Sequence, residues 1–429
     1  MSITGRDLSL LYAMRSLRAF GFAAVGVLLA LYLPRFGLGA TALGAYLSLT
    51  VLTAIALNAL LVGRVDRLGR RRVLVLAATL YALAGFALAL ARGPALLLIA
   101  ALLGALPPGG DGVFSTTEQA IIGNVPSAGR PIVFGRYGLV GSIAGSAGLL
   151  AAGVPALLAA RGILPLGLGE RLAMAAYGLI GLGVIALALA MDRSVEAAHV
   201  ARSGLGAAMP SRPSPPPRLG LGRSRRLLSQ MAALFAADAF GSAMVTTTLL
   251  TYFLHTRFGL GAVTIALVLF ASRLMATVSY PLAVRLGRRI GMINTAVWTH
   301  IPSSLLLVGV GLVAAPIWAA VLLVGRGLLV EMDVPTRQAF ISGAVDPEER
   351  SAAAGLTTLG RQAGQLAGPL AGGFALGLAA PVLFSVAAGV KIAYDLALWV
   401  LCRRVPESAP ATAAETSPTA SSPSPSPSA

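Results

Sequence analysis

Cysteine, lysine, histidine and acidic residues are all scarce. The one cysteine, Cys402, excludes a disulfide framework and a thiolate zinc site. The one lysine, Lys391, lies in an apolar run, so the chain has no Gly-Lys-Ser/Thr loop to cradle a nucleoside triphosphate. Direct drive by ATP hydrolysis is therefore not expected. Histidine occurs three times and Asp plus Glu 16 times, with no His/Asp/Ser constellation and no metal-ligand spacing at any helix boundary. Neither an enzyme nor a metal or cofactor protein is expected from such a set. Charged residues make up 11% of the chain, less than half of the ~25% usual in soluble domains.

Apolar residues are abundant. They account for 56% of the chain, and mean hydropathy is +0.82. Runs of the ~20 apolar residues that cross a bilayer fall into twelve spans: 8–33, 41–63, 73–91, 95–116, 131–158, 171–190, 228–255, 261–284, 290–312, 316–336, 351–377 and 381–402. No period-2 alternation marks paired strands, so an all-α membrane protein of closed helical bundles is expected. The net charge of +17 would point to nucleic acid in a soluble protein, but here membrane topology accounts for it. With both termini cytoplasmic, 21 arginines fall in inside segments and five in outside ones, the bias that orients multi-spanning proteins.

The chain also repeats itself. Arg35-Phe-Gly-Leu-Gly-Ala40 recurs as Arg257-Phe-Gly-Leu-Gly-Ala262, at an offset of 222. Arg67-Leu-Gly-Arg-Arg71 recurs as Arg285-Leu-Gly-Arg-Arg289, and Gln119-Ala120 as Gln338-Ala339, at offsets of 218 and 219. Collinear markers of this kind identify a duplicated unit of roughly 200 residues. The expected division is a six-helix unit at 1–191, a Pro- and Arg-rich cytoplasmic linker at 192–226, a second six-helix unit at 227–404 and a low-complexity tail at 405–429. Arg6, Arg15 and Arg18 before Phe20–Leu33 have the form of a leader. The copy of its exit sequence at 257 marks a retained first helix instead.

The loop after the second span reads Val62-Gly-Arg-Val-Asp-Arg-Leu-Gly-Arg-Arg71. It resembles the signature between helices 2 and 3 of the major facilitator superfamily, and Asp66, Arg67, Gly69, Arg70 and Arg71 match it position by position. Val62 replaces the usual first Gly. The second copy keeps Arg285, Gly287, Arg288 and Arg289, with Val284 in place of the Asp. The resemblance implies twelve helices in two pseudo-symmetric bundles, a loop network that gates the cytoplasmic side, and a central cavity lined by helices 1, 4, 7 and 10.

Span 11 carries Gly355, Gly364, Gly368-Pro369 and Gly372-Gly373. The spacing is similar to a glycine motif that drug–proton antiporters of the superfamily carry in helix 5, and it lets helices approach closely. Charges within the spans are the other departure from an apolar sequence, since each costs roughly 2.5–3.5 kcal/mol to insert. The second half has Asp238, Arg273, Arg326, Glu331, Asp333, Arg361, Lys391 and Asp395; the first has Arg15, Arg18, Asp111 and Glu118. Arg326, Asp333 and Arg337 have the spacing of one helical face. Lys391 and Asp395, at i and i+4, are expected to neutralise each other. His300 lies on a peripheral span and is given no relay role. A buried carboxylate can carry a proton through a transport cycle, and Asp238 leads that expectation, followed by Glu331. A fixed salt bridge from Asp238 to Arg273 is the alternative.

The expected activity is secondary active transport of a small-molecule substrate, with protons as the coupling ion, the lipid bilayer as surroundings, no nucleic-acid partner and a single chain sufficing. Export of a small organic or drug-like compound is favoured. Uptake of a small organic anion is one alternative, and a transporter-like sensor or assembly partner another.

Overall fold

The computed structural model describes residues 4–62, 64–104, 112–126, 129–192, 195, 225–332 and 350–402. Helix accounts for nearly all of them, and no strand occurs among them. α1 (Gly5–Tyr32) is capped by Thr4, whose hydroxyl oxygen accepts from the Asp7 amide at 3.1 Å, and continues into a 3-10 turn (Leu33–Phe36). Next come α2 (Ala40–Val62), the short α3 (Val65–Leu68) and α4 (Arg70–Leu90). α5 (Pro94–Leu102), α6 (Val113–Ile122), α7 (Arg130–Ala151), α8 (Val154–Ala160) and α9 (Leu166–Ala190) complete the first half. The second half consists of α10 (Arg225–Met244), α11 (Thr247–Phe258), α12 (Ala262–Ile290), α13 (Met292–Leu312), α14 (Pro316–Val330), α15 (Arg350–Leu378) and α16 (Ala380–Cys402).

Nine helical stretches among the described residues are long and apolar enough to cross a membrane, and α14 is a shorter apolar one. They follow the expected spans in order, with departures at the fourth, seventh, tenth and eleventh; the eleventh, α15, is not among the nine. The fourth span is two helices, α5 and α6. The seventh breaks between α10 and α11, where the Thr246 hydroxyl oxygen accepts from the Leu249 amide at 3.2 Å and starts a new helix. The tenth stops at Val330, so helical spacing from Arg326 falls short of Asp333 and Arg337, which lie outside the described residues. Asp111, most of the expected linker and the tail also lie outside them.

The duplication has a backbone counterpart. Gly37 and Gly259, 222 residues apart, both turn with positive φ (78° and 64°) within the two Arg-Phe-Gly-Leu-Gly-Ala copies, ending the helices before them. Gly69 and Gly291, again 222 apart, have φ of 94° and 87° and start α4 and α13. That region is costly for any residue with a Cβ. Gly287, which the sequence match pairs with Gly69, instead lies inside α12, which runs on to Ile290. The repeat of the turn is therefore carried by Gly291, and matching the arginine motif alone shifts the register by four residues.

Each half packs in the same way. α1 lies against α7 and α10 against α15; α4 lies against α9 and α13 against α16. Leucines, isoleucines and a tryptophan on the outer faces, among them Leu83, Ile143, Leu179, Trp298 and Leu305, are exposed, as expected where lipid is the solvent. The halves meet through α2 on α15, α1 on α11 and α7 on α12. The described contacts of this joint gather at the end carrying the two Arg-Phe-Gly-Leu-Gly-Ala turns, here called the turn end. A Cβ on Gly44 would come within 2.9 Å of the Gly373 Cα, one on Gly377 within 2.9 Å of the Thr41 hydroxyl, and one on Gly153 within 3.2 Å of the Val263 Cα. The Leu370 amide, next to Pro369, donates to the Ser48 hydroxyl oxygen across the joint at 3.0 Å.

Candidate functional site

Two charged clusters are buried at mid-depth, one in each half. In the first half α1 supplies Arg15 and Arg18, α6 supplies Phe114 and Glu118, and α7 supplies Tyr137 and Gly141. Each pair is three or four residues apart and so shares a helix face. Arg18 and Glu118 form an ion pair in which both side chains are 0% exposed. The Tyr137 hydroxyl donates to the same Glu118 oxygen. The Arg18 guanidinium lies 4.3 Å from the Phe114 ring centroid, and that of Arg15 4.9 Å from the Tyr137 ring, distances at which rings attract cations. Gly141 makes room for Arg15, since a Cβ there would sit 2.6 Å from its Nε.

The cluster is not fully satisfied. Glu118 Oε1, Arg18 Nε and Nη1, and Arg15 Nε are buried with no hydrogen-bond partner among the described residues. Unmet hydrogen-bonding capacity of this kind is expensive in a low-dielectric interior. The sequence singled out Arg15, Arg18 and Glu118. It missed Phe114 and Tyr137, whose i, i+4 relation to Glu118 and Gly141 was the available signal.

In the second half Lys391 of α16 donates to Asp238 of α10 at 3.0 Å and to the Ser242 hydroxyl at 2.7 Å. Asp395, one turn further along α16, meets His300 Nδ1 of α13 at 2.9 Å. The expected Lys391–Asp395 pair is thus replaced by two pairings that tie α16 to helices on either side. The expected alternative of Asp238 with Arg273 is not formed, and Arg273 is exposed. Arg326 and Arg361 are half-buried and make no ion pair among the described residues, although the Glu331 charge acts on Arg326.

Glycine seams set these helices close. Gly360, Gly364, Gly368 and Gly372 of α15 face the α10 backbone at Ala232, Ala236, Phe240 and Met244. In the first half Gly148 of α7 faces α1 at Phe20 in the same way, while a Cβ on Gly145 would stand 3.7 Å from the Ala19 carbonyl oxygen. Gly373 faces α2 across the joint, while Gly355 meets nothing within 4 Å. The motif that span 11 carries with its Pro is thus one of two equivalent seams.

A family model, the Major Facilitator Superfamily, matches residues 11–332. The chain belongs to the major facilitator superfamily. As a member it is a multi-pass membrane protein of a transporter family. It is similar to an uncharacterized membrane protein of Saccharomyces cerevisiae, 23% identical over 380 residues that cover 83% of this chain and 85% of the yeast protein. Its fold is similar to that of the nucleoside transporter NupG, with a TM-score of 0.67 and 13% identity, covering 93% of this chain and 100% of that one. It is also similar to the peptide transporter POT in complex with sulfate (TM-score 0.65, 18% identity, covering 94% and 96%). A bacterial homologue of the human lysosomal transporter Spinster, in an inward-facing conformation, gives 0.61 with 15% identity, covering 92% and 95%.

The superfamily's loop motif lies at the end opposite the joint. Gly69 makes the turn, Arg70 opens α4, and the Arg71 guanidinium donates to the Leu189 carbonyl at the end of α9. That contact brings a cation to a helix C-terminus, where it is favoured. The side chains of Asp66 and Arg67 lie outside the described residues. Arg285, Arg288 and Arg289 are exposed along the last turns of α12.

Proposed function

We propose that the protein is a secondary active transporter that moves a small organic compound by alternating access, with protons as the coupling ion. The carrying observation is the joint of small residues between α2 and α15, Gly44 against Gly373 with Ser48 bonded to Leu370. Two rigid six-helix units, 1–191 and 227–404 joined by the 192–226 linker, rock about such a joint, and the Asp66–Arg71 and Arg285–Arg289 segments form the gate at the other end. Glu118 replaces Asp238 as the leading proton carrier, because it is buried, borders unsatisfied donors and bonds side chains of α1 and α7, helices that meet the other half. Arginine bias puts both termini in the cytoplasm and the protein in the cell membrane, where a single chain suffices.

Export is supported by the likeness of the α15 glycine spacing to that of drug–proton antiporters. Uptake of a small organic anion is the second reading, favoured by Arg15, Arg326 and Arg361, three half-buried cations without ion pairs among the described residues. The test uses purified protein in proteoliposomes with an interior pH dye, challenged in turn with organic cations, anions and neutral drugs. The expected result is a proton flux that appears with one class of compound. It is lost in the paired variant Arg18→Met/Glu118→Gln, which removes the carboxylate without stranding a charge. The charge of the active compound chooses between the two readings. Flux that survives in the variant moves the proton to Asp238 or Glu331, and no flux with any compound overturns coupled transport.

A further inference from the structure

On α12 the residues Ala262, Ala266, Leu269 and Arg273 share one face, being three or four positions apart. The first three are buried and Arg273 is exposed. Two other faces of α12 have known neighbours. The Ser272 hydroxyl donates to the Leu323 carbonyl of α14 at 3.0 Å, and Leu267, Leu274 and Val278 are the exposed apolar stripe. The face of Arg273 is therefore the inner one, which α1, α7 and α11 cover at the turn end. α7 shows the same gradient. A Cβ on Gly153, just past its end, would come within 3.2 Å of the Val263 Cα of α12. Leu149, Ser146, Ser142, Gly138 and Gly135 continue that face toward the loop end. Leu149 is buried, the two serines are half-buried and the two glycines are exposed, with no described atom within 4 Å of a Cβ on either. On α1, Gly26 faces Thr247 and Thr248 of α11 at 4.0 Å, and half-buried Arg15 lies three turns along the same face. At 1.5 Å of rise per residue, Arg15 is about 16 Å below Gly26 and Arg273 about 15 Å below Val263. One arginine from each half thus stands at the same depth beside a gap that opens below the turn-end contacts. Arg18 is taken by Glu118. Arg15 rests on the Tyr137 ring, and neither Arg15 nor Arg273 makes an ion pair among the described residues.

We propose that Arg15 and Arg273 form an anion clamp between the halves, and that the compound it takes is a small organic dianion, a dicarboxylate or a phosphate monoester. The proposal rests on the anion reading of transport given above and names its substrate class. A guanidinium at mid-depth is costly in hydrocarbon, so its place is a gap that water or an anion enters. The planar fork of each arginine matches two oxygens of a carboxylate or phosphate. A monoanion satisfies one fork and leaves the other in water. A dianion satisfies both and so links α1 to α12 across the gap, while an organic cation meets like charge from both sides. The α7 wall, with Gly138 and Ser142, leaves room for the body of the compound.

The test is binding to the purified full-length protein in detergent at pH 7, read as a rise in unfolding temperature at constant ionic strength. Succinate, glutarate and ribose 5-phosphate are the dianions, with butyrate and ribose as controls that lack the second charge. The expected result is a saturable rise with a dianion and none with butyrate or ribose at the same concentration. Whether the dicarboxylates or the sugar phosphate act tells which oxoanion the clamp takes. Arg15→Gln and Arg273→Gln are each expected to raise the half-saturating concentration about tenfold or more. Arg257→Gln, which removes an exposed arginine at the turn end, leaves it unchanged. If Arg15→Gln fails to fold, Arg273→Gln decides alone, since that side chain is exposed. No response to any dianion, or a response that survives in Arg273→Gln, overturns the proposal. Binding needs no membrane and no gradient, so the two readings fail separately. Dianion binding without proton flux sinks coupled transport alone, and flux with an organic cation but no dianion binding sinks the clamp alone.

Discussion

At the scale of single residues the Arg18–Glu118 pair makes the sharpest demand. Removing one partner of a buried pair strands the other, at a cost of about 3–5 kcal/mol. Glu118→Gln is therefore expected to lower the unfolding temperature of the purified protein strongly, and Arg18→Met/Glu118→Gln to recover most of the loss. Thermal unfolding of both variants in detergent, read as a double-mutant cycle, checks this; equal losses in the two would show that the pair is not coupled. Backbone chemistry gives a second contrast. Gly69 holds a φ of 94°, where a Cβ costs roughly 1–2 kcal/mol, whereas Gly287 is helical. Gly69→Ala should destabilise and Gly287→Ala should not, in the same unfolding assay. The charged residues themselves were legible in the sequence. Their partners were not, because i, i+4 spacing speaks only for one helix. It joined Lys391 to Asp395, while the rotation of α16 between α10 and α13 sends them to opposite neighbours.

At the scale of helices the glycine seams divide into members that touch and one that does not. A Cβ at Gly364 would lie 2.8 Å from the Phe240 amide nitrogen and closer still to the Ala236 carbonyl oxygen, so Gly364→Leu must push α15 off α10. Gly355 has open space around it, and Gly355→Ala is expected to leave stability unchanged or raise it by about 0.5–1 kcal/mol, the usual preference for Ala in a helix. Yield of monodisperse protein and thermal unfolding of the two variants decide it; matched losses would mean that the seam is not packed as described. The order of the helices was readable from run length. The break at Thr246 was not, because a hydropathy window averages over a cap that a single hydroxyl makes.

At the scale of the molecule the duplication and the two-unit architecture were legible from long-range regularity, and the family from the loop motif at Val62–Arg71. The closed state of the turn end was not, because it depends on contacts between residues more than 100 positions apart. That state is testable. In a Cys402→Ala background, Thr41→Cys/Gly377→Cys is expected to cross-link readily without any added compound and to stop transport until reductant is supplied; failure to cross-link would mean that the turn end is open. The position of the joint has a mechanical consequence. Gly44 lies about 6 Å from the turn-end tip of α2 and about 27 Å from its other tip, at 1.5 Å of rise per residue. Gly373 divides α15 just as unequally. The two helices are levers with one short and one long arm, so a tilt of about 10° that shifts the turn end by about 1 Å sweeps the far tips through about 5 Å. In the proposed rocking, a crossing too tight to admit a methyl group controls an opening wide enough for a solute.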